Sequence, residues 1–289
     1  MVSSNPSNEK SSNAKTSTRP RIFEPVWKDG ECTLVLNESI SKKDRRALEC
    51  NLPECLNEKR LLTKEEIEAS GYIENVADTM YWLKVPSGRV PGVIRLSTTW
   101  LKEHGFLDRL IALRELSLKP SYVKNLYEGE LNRESKNQTR FPLGSTMLIH
   151  NGYNSIRLSA ISARNHNGES NKVTVELTDI VSKVTKLVVP TEFSRRQEER
   201  ALQNASLLIG ARDNHAYTSI QLNYTKQGTK LTDGLGVRGS IHRDIKNDPT
   251  CLTAIIALSN LTEDYFGGRF NITSLNVSCK FHVGNCLFF

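Results

Sequence analysis

The stretch Gly236–Phe289 constrains this chain more than any other. It reads Gly236-Val-Arg-Gly-Ser-Ile-His242-Arg-Asp244, then the apolar run Thr250-Cys-Leu-Thr-Ala-Ile-Ile-Ala-Leu258. A Gly267-Gly268-Arg269-Phe270 corner follows, and then Gly284-Asn285-Cys-Leu-Phe-Phe289. Short apolar runs bounded by glycine and polar turns are the pattern of buried strands. His242 and Asp244 have one residue between them, so on a strand they share a face, because side chains alternate with period two. An imidazole nitrogen and a carboxylate oxygen so placed are two of the three ligands of the 2-His-1-carboxylate triad that holds non-haem Fe(II).

Composition sets the limits around this stretch. A chain of 289 residues has room for one large domain or two modest ones. Hydrophobic residues at 38%, together with 17 glycines, are enough for a sizeable core. The 39 Lys and Arg against 32 Asp and Glu give a net charge of +7, the electrostatic footprint of a DNA or RNA partner. That charge is spread along the sequence, with no run of five or six consecutive cations. No stretch of 18 apolar residues is present to cross a membrane. The Ser- and Asn-rich start lacks the apolar segment of a secretory signal. The expected location is intracellular, nuclear or cytoplasmic, with the six cysteines as free thiols. Cys32, Cys50 and Cys55 lack a second pair at zinc-ligand spacing.

Three regions are expected: a disordered tail over 1–21, an N-terminal mixed region over 22–140 that packs on the core, and the core itself over 141–289. Thr33-Leu-Val-Leu36 and Tyr81-Trp-Leu-Lys-Val85 read as strands, the second ending at a Pro86-Ser-Gly88 turn. Thr63-Lys-Glu-Glu66 has capping-box spacing and opens a helix toward Ser70-Gly71. Ser97 caps a helix predicted from Trp100 to Leu116. Asn125–Gln138 reads as a loop, and Asn167-Gly168 as a turn pair. Thr146–Ile149, Ser155–Ser159, Lys172–Leu177 and Val184–Val189 are rich in β-branched residues and read as strands. A helix is expected from Pro190-Thr191 to about Leu208, then a strand over Tyr217–Tyr224.

Two better-known motifs overlap the His-x-Asp pair and fail on context. Gly234-Leu-Gly236-Val-Arg-Gly239 has dinucleotide-fingerprint spacing, but a polar loop precedes it and no helix follows to aim N–H groups at a pyrophosphate. His242-Arg-Asp244 spells the start of a kinase catalytic loop, yet Pro249 stands where that loop needs Asn for its second Mg²⁺.

The His-x-Asp pair, the Thr-containing apolar strand, the Gly-Gly corner and the final glycine-led strand together resemble the Fe(II)/2-oxoglutarate-dependent dioxygenase superfamily. The likeness is greatest to the fungal TET/JBP-like oxygenases, which oxidise 5-methylpyrimidines in nucleic acid. It implies an α+β chain whose core is a double-stranded β-helix, or jelly-roll, with flanking helices. It further implies Fe(II) held by His242 and Asp244, and 2-oxoglutarate as cosubstrate with Asn223 or Tyr224 beside it. Adjacent residues on a strand point oppositely, so only one of those two can face the cosubstrate. The family's distal His and its basic residue for the 2-oxoglutarate carboxylate fall beyond Phe289. The expectation is therefore a core lacking its C-terminal strand or strands, with an open sheet edge and two ligands of three. Hydroxylation of a methylated nucleic-acid base is the reaction implied. A non-catalytic remnant or binding module, and hydroxylation of a protein side chain, are the alternatives.

Overall fold

The computed structural model describes residues 19–53, 56, 62–122, 140–150, 153–159, 169–203, 216–223, 251–258, 269–280 and 285–289. The expected loop Asn125–Gln138, the turn Asn167-Gly168, Leu208 and most of the expected tail lie outside these residues. The chain is already anchored at Arg19, whose N–H donates to the Ala69 carbonyl at 3.1 Å.

Strands β1 (Phe23–Lys28) and β2 (Glu31–Leu36) form a hairpin closed by Asp29 and Gly30, at φ 49° and 80°. Two positive φ values in a two-residue loop are the type I′ turn, whose twist matches that of the strands it joins. Helix α1 (Lys42–Cys50) and helix α2 (Lys64–Ala69) follow. The predicted capping box on α2 is present: Glu66 N donates to Thr63 Oγ1 at 3.2 Å, and Thr63 N donates to Glu66 Oε2 at 2.8 Å. Next come β3 (Ile73–Glu74), β4 (Met80–Val85) and β5 (Gly88–Leu96). The β4–β5 register slips at Gly92, where an added Cβ would stand 2.8 Å from the Tyr81 carbonyl oxygen.

The helix predicted over Trp100–Leu116 is two helices, α3 (Thr98–Glu103) and α4 (Leu107–Ser117). Ser97 caps α3 as expected. Gly105 at φ 73° ends it, with Phe106 N bonded to Leu101 O and Gly105 N to Lys102 O. This pair of bonds is the Schellman motif, which needs a left-handed residue where glycine stands. It turns Phe106 back onto Leu101 in the core, and a continuous helix would forgo that contact.

A larger correction concerns Lys172–Leu177 and Val184–Val189, predicted as strands. They belong to one helix, α5 (Glu169–Val188). Val173, Leu177, Ile180, Val181 and Val184 are buried at helical spacing, so a continuous apolar stripe outweighs β-branched propensity. Thr178 and Thr185 donate their hydroxyls to the carbonyls of Thr174 and Val181 four residues back, which satisfies them inside the helix. Helix α6 (Thr191–Leu202) begins where Pro190 predicts.

β6 (Arg140–His150) pairs antiparallel with β7 (Tyr153–Leu158) through its second half and with β8 (Ser219–Asn223) through its first. The remaining strands are β9 (Ala254–Ile256), β10 (Arg269–Ile272), β11 (Val277–Lys280) and β12 (Cys286–Phe288). They complete a six-stranded sheet of order β1-β2-β4-β5-β12-β9 and a three-stranded sheet of order β10-β11-β3. The architecture is α+β, with parallel and antiparallel pairings in both sheets. Among the described residues no sheet closes into a barrel.

The six-stranded sheet has a core on each face. Ile94, Leu96, Cys286 and Phe288 meet α3, α4 and α5 on one side. Cys32, Leu34, Tyr81, Val93 and Leu287 face Ile73, Ile272, Val277 and Cys279 of the smaller sheet on the other. Strand β12 serves both, because alternate residues point to opposite faces. It is bonded antiparallel to β5 on one edge and β9 on the other, and all three of its residues are buried. Strand β12 thus lies in the sheet interior, and among the described residues the edges of this open sheet are β1 and β9. Strands from residues 23–96 and from residues 254–288 thus share one sheet.

Candidate functional site

His242 and Asp244, the expected metal ligands, and Tyr224 lie outside the described residues. Asn223, the other expected cosubstrate contact, closes β8 opposite Arg140 of β6. The structure does describe the frame on which the intervening stretch is hung.

That frame is built on helix α6. Gln197 is buried, and its side-chain amide bonds three backbone groups. Its Nε2 donates to the Ala216 carbonyl at 3.1 Å and to the Leu252 carbonyl at 3.3 Å. Its Oε1 accepts from the Leu252 N–H at 3.2 Å. One side chain therefore fixes the entry into β8 and the approach to β9, the two points between which residues 217–251 run. Helix α5 adds a second hold, because Ala216 N donates to Ser182 Oγ at 3.0 Å. Both α5 and α6 present these groups from buried helix faces, the places where an unpaired amide or hydroxyl would be costly.

Tyr217, next along the chain, reaches inward to Thr185 Oγ1 at 3.1 Å. Thr185 spends its own proton on the Val181 carbonyl, so the phenol donates to it. Burial of the hydroxyl pushes its pKa well above the ordinary tyrosine range, which keeps it a neutral donor. The approach to β9 is tied on its other side too. Thr253 and Phe289 exchange N–H···O bonds at 2.8 and 3.1 Å, and Ala257 N donates to the Asn285 carbonyl at 3.1 Å. Asn285 Nδ2 reaches the Leu96 carbonyl at 3.3 Å, which docks the start of β12 against β5.

The buried thiols Cys32, Cys279 and Cys286 are poorly suited to such a site. Cys32 is fully buried between the two sheets, and burial pushes it up to about 11. Cys50 is exposed at the end of α1, so the two do not form a common ligand set. Burial likewise raises Cys279 to about 12, and it raises Cys286 further still. A thiol held protonated is neither a nucleophile nor a ready metal ligand. Among the described residues no group of three or more His, Cys, Asp or Glu converges at metal-binding distance.

Sequence reasoning missed Gln197, Ser182, Thr185 and Tyr217. Gln197 sits in Arg195-Arg-Gln-Glu-Glu-Arg200, a mixed-charge run that reads as a solvated face. Its signal is positional: Ser194, Gln197 and Ala201 are the buried positions of α6, at helical spacing. No family model, curated protein or solved structure matches this chain.

Proposed function

We propose that this chain is built on the plan of an Fe(II)/2-oxoglutarate-dependent oxygenase that acts on a methylated base in nucleic acid. The jelly-roll is the finer architecture of this reading, and the adjoining β9 and β12 are part of it. The observation that carries the reading is the His242-x-Asp244 pair, set upstream of a strand sequence whose three apolar blocks all form strands. The Gln197 clamp adds support, because a site on the 217–251 stretch needs both ends of that stretch fixed.

The donor set suits the metal. A neutral imidazole and an ionised carboxylate are the nitrogen and oxygen ligands of the facial triad, and a second imidazole completes it. Fe(II) bound there supplies the activation of O₂ that no protein side chain provides. His242 and Asp244 would hold it, and Asn223 or Tyr224 would orient 2-oxoglutarate. The base would have to leave its stack to reach the site.

The test is Fe(II)-dependent conversion of 2-oxoglutarate to succinate, measured with and without duplex DNA carrying 5-methylcytosine. Stimulation by the methylated duplex supports the reading. Stimulation by a proline-containing peptide in its place would assign a protein side chain as substrate. Absence of succinate under every condition would leave a binding module.

A further inference from the structure

Helix α1 contributes no fully buried residue to the core, and Arg45, Leu48 and Glu49 are half-buried. None of its nine residues is buried, although a surface helix ordinarily owes its stability to an apolar face packed on the core. It is instead capped at its N-terminus and tied to a distant residue at its C-terminus. Asp44 N donates to the N-cap Ser41 Oγ at 3.1 Å, and Ser41 Oγ donates to Asp44 Oδ2 at 2.6 Å. At the other end the Arg19 guanidinium reaches the Leu48 carbonyl at 3.1 Å and the Asn51 carbonyl at 2.6 Å. A cation there also suits the negative end of the helix dipole.

This pinned helix presents cations. Lys42, Lys43 and Arg46 are all exposed. At 100° per residue they fall within one arc of about a quarter turn. Lys42 and Arg46 are an i,i+4 like-charge pair, and Lys43 and Arg46 an i,i+3 one, both mildly destabilising in an isolated helix. Arg45 points away from this arc and donates to the Ile40 carbonyl at 3.1 Å. Asp44 is engaged at the N-cap on the far side of the helix from the three cations, and half-buried Glu49, three residues after Arg46, borders their arc on one side and leaves the face with a net positive charge. A chain that rigidly displays mutually repelling charges gains from an anion that separates them.

We propose that the exposed face of α1, formed by Lys42, Lys43 and Arg46, is a docking surface for the phosphate backbone of duplex nucleic acid. The choice of nucleic acid rests on the functional reading above, while the place rests on α1 alone. A membrane surface fits poorly: an interfacial helix needs a broad apolar face, and α1 has Ala47 and Leu48 as its aliphatic residues. Backbone contacts of this kind position a protein on the duplex without reading its sequence.

The test is fluorescence anisotropy with a labelled unmethylated duplex, without iron or 2-oxoglutarate, across a KCl series. The triple variant K42Q/K43Q/R46Q removes three charges with residues of good helix propensity, and circular dichroism checks its fold. The expected result is weaker binding, with a log K against log[KCl] slope shallower by about 2.7. The control K28Q/K84Q/K119Q removes the same charge from exposed sites elsewhere and is expected to retain the wild-type slope. Equal slopes for the triple variant and wild type would overturn the proposal. So would absence of wild-type binding to the duplex, or α1-dependent binding to phosphatidylserine vesicles or to a polyglutamate peptide instead. Equal slopes with duplex binding intact overturn the surface alone, whereas absence of wild-type duplex binding counts against the nucleic-acid substrate as well, and Fe(II)-dependent succinate formation without DNA remains a separate readout of the oxygenase reading.

Discussion

Gln197 and Leu252 lie 55 residues apart and are joined by a reciprocal pair of hydrogen bonds, amide to amide, at 3.2 and 3.3 Å. The side chain of Gln197 imitates a strand neighbour for one residue of backbone, and its remaining N–H takes the Ala216 carbonyl. Gln197→Leu keeps the volume and leaves the buried Ala216 carbonyl and the half-buried N–H and carbonyl of Leu252 without their partner. The expected loss is about 2–4 kcal/mol of unfolding free energy, read from urea denaturation. Gln197→Glu keeps the acceptor for Leu252 N–H and removes both donors once ionised. Its stability is expected to fall as pH rises through the carboxyl pKa, which this environment raises. A wild-type urea midpoint for Gln197→Leu would show that the clamp is incidental.

Strand β12 gives a second prediction. Phe288 is fully buried against the helices, and Leu287 is fully buried against the smaller sheet. Phe288→Ala is expected to cost about 3–5 kcal/mol and Leu287→Ala about 2–5 kcal/mol. Deletion of 286–289 would leave β5 and β9 without their shared neighbour, so the remaining chain is expected to lose cooperative thermal unfolding. A truncated chain that melts with the wild-type transition would contradict the central position of β12.

The buried thiols set the alkaline limit. Cys32 and Cys279 are raised from 9.0 to about 11 and about 12 by burial, so each stays protonated in the fold at pH values where the unfolded chain ionises. Their folded pKa values exceed the unfolded ones, so stability is intact below pH 9.0 and falls as pH rises through the window up to about 12. The slope is about 1.4 kcal/mol per pH unit for each thiol that differs between the two states. Cys32→Ala is expected to flatten the stability curve between pH 9.0 and about 11, seen as a smaller shift in urea midpoint. An unchanged slope would place the alkaline sensitivity on other groups, Tyr81 among them, which burial raises to about 12.

What was legible in the sequence was local. Ser97, Thr63-x-x-Glu66 and Pro190 mark helix starts through chemistry confined to a few residues, and the helices begin there. The Asp29-Gly30 pair is an equally local hairpin signal, and both residues take the positive φ that such a turn needs. Helix α5 is rich in Val, Ile and Thr, which favour strands by composition. Only its burial pattern, Val173 to Leu177 to Ile180 and onward, reveals the helical period. The interior place of β12 was beyond reach, because its neighbours β5 and β9 are set by tertiary pairing. The basic face of α1 is not legible from Lys42-Lys-Asp-Arg-Arg46 alone, because which of these cations stay exposed depends on how the helix is seated. Of the expected site, the flanks can be described: Asn223 closes a strand, and Gln197 holds the far end near Leu252.

The central claim is that His242 and Asp244 hold iron for oxidation of a methylated base. The direct measurement is the mass of a 5-methylcytosine duplex after incubation with the chain, Fe(II), 2-oxoglutarate and O₂, in parallel with His242→Ala and Asp244→Ala. The expected result is gain of one oxygen atom on the methylated base with wild type and none with either variant. An unmodified duplex with wild type, or equal oxidation by His242→Ala, would contradict it.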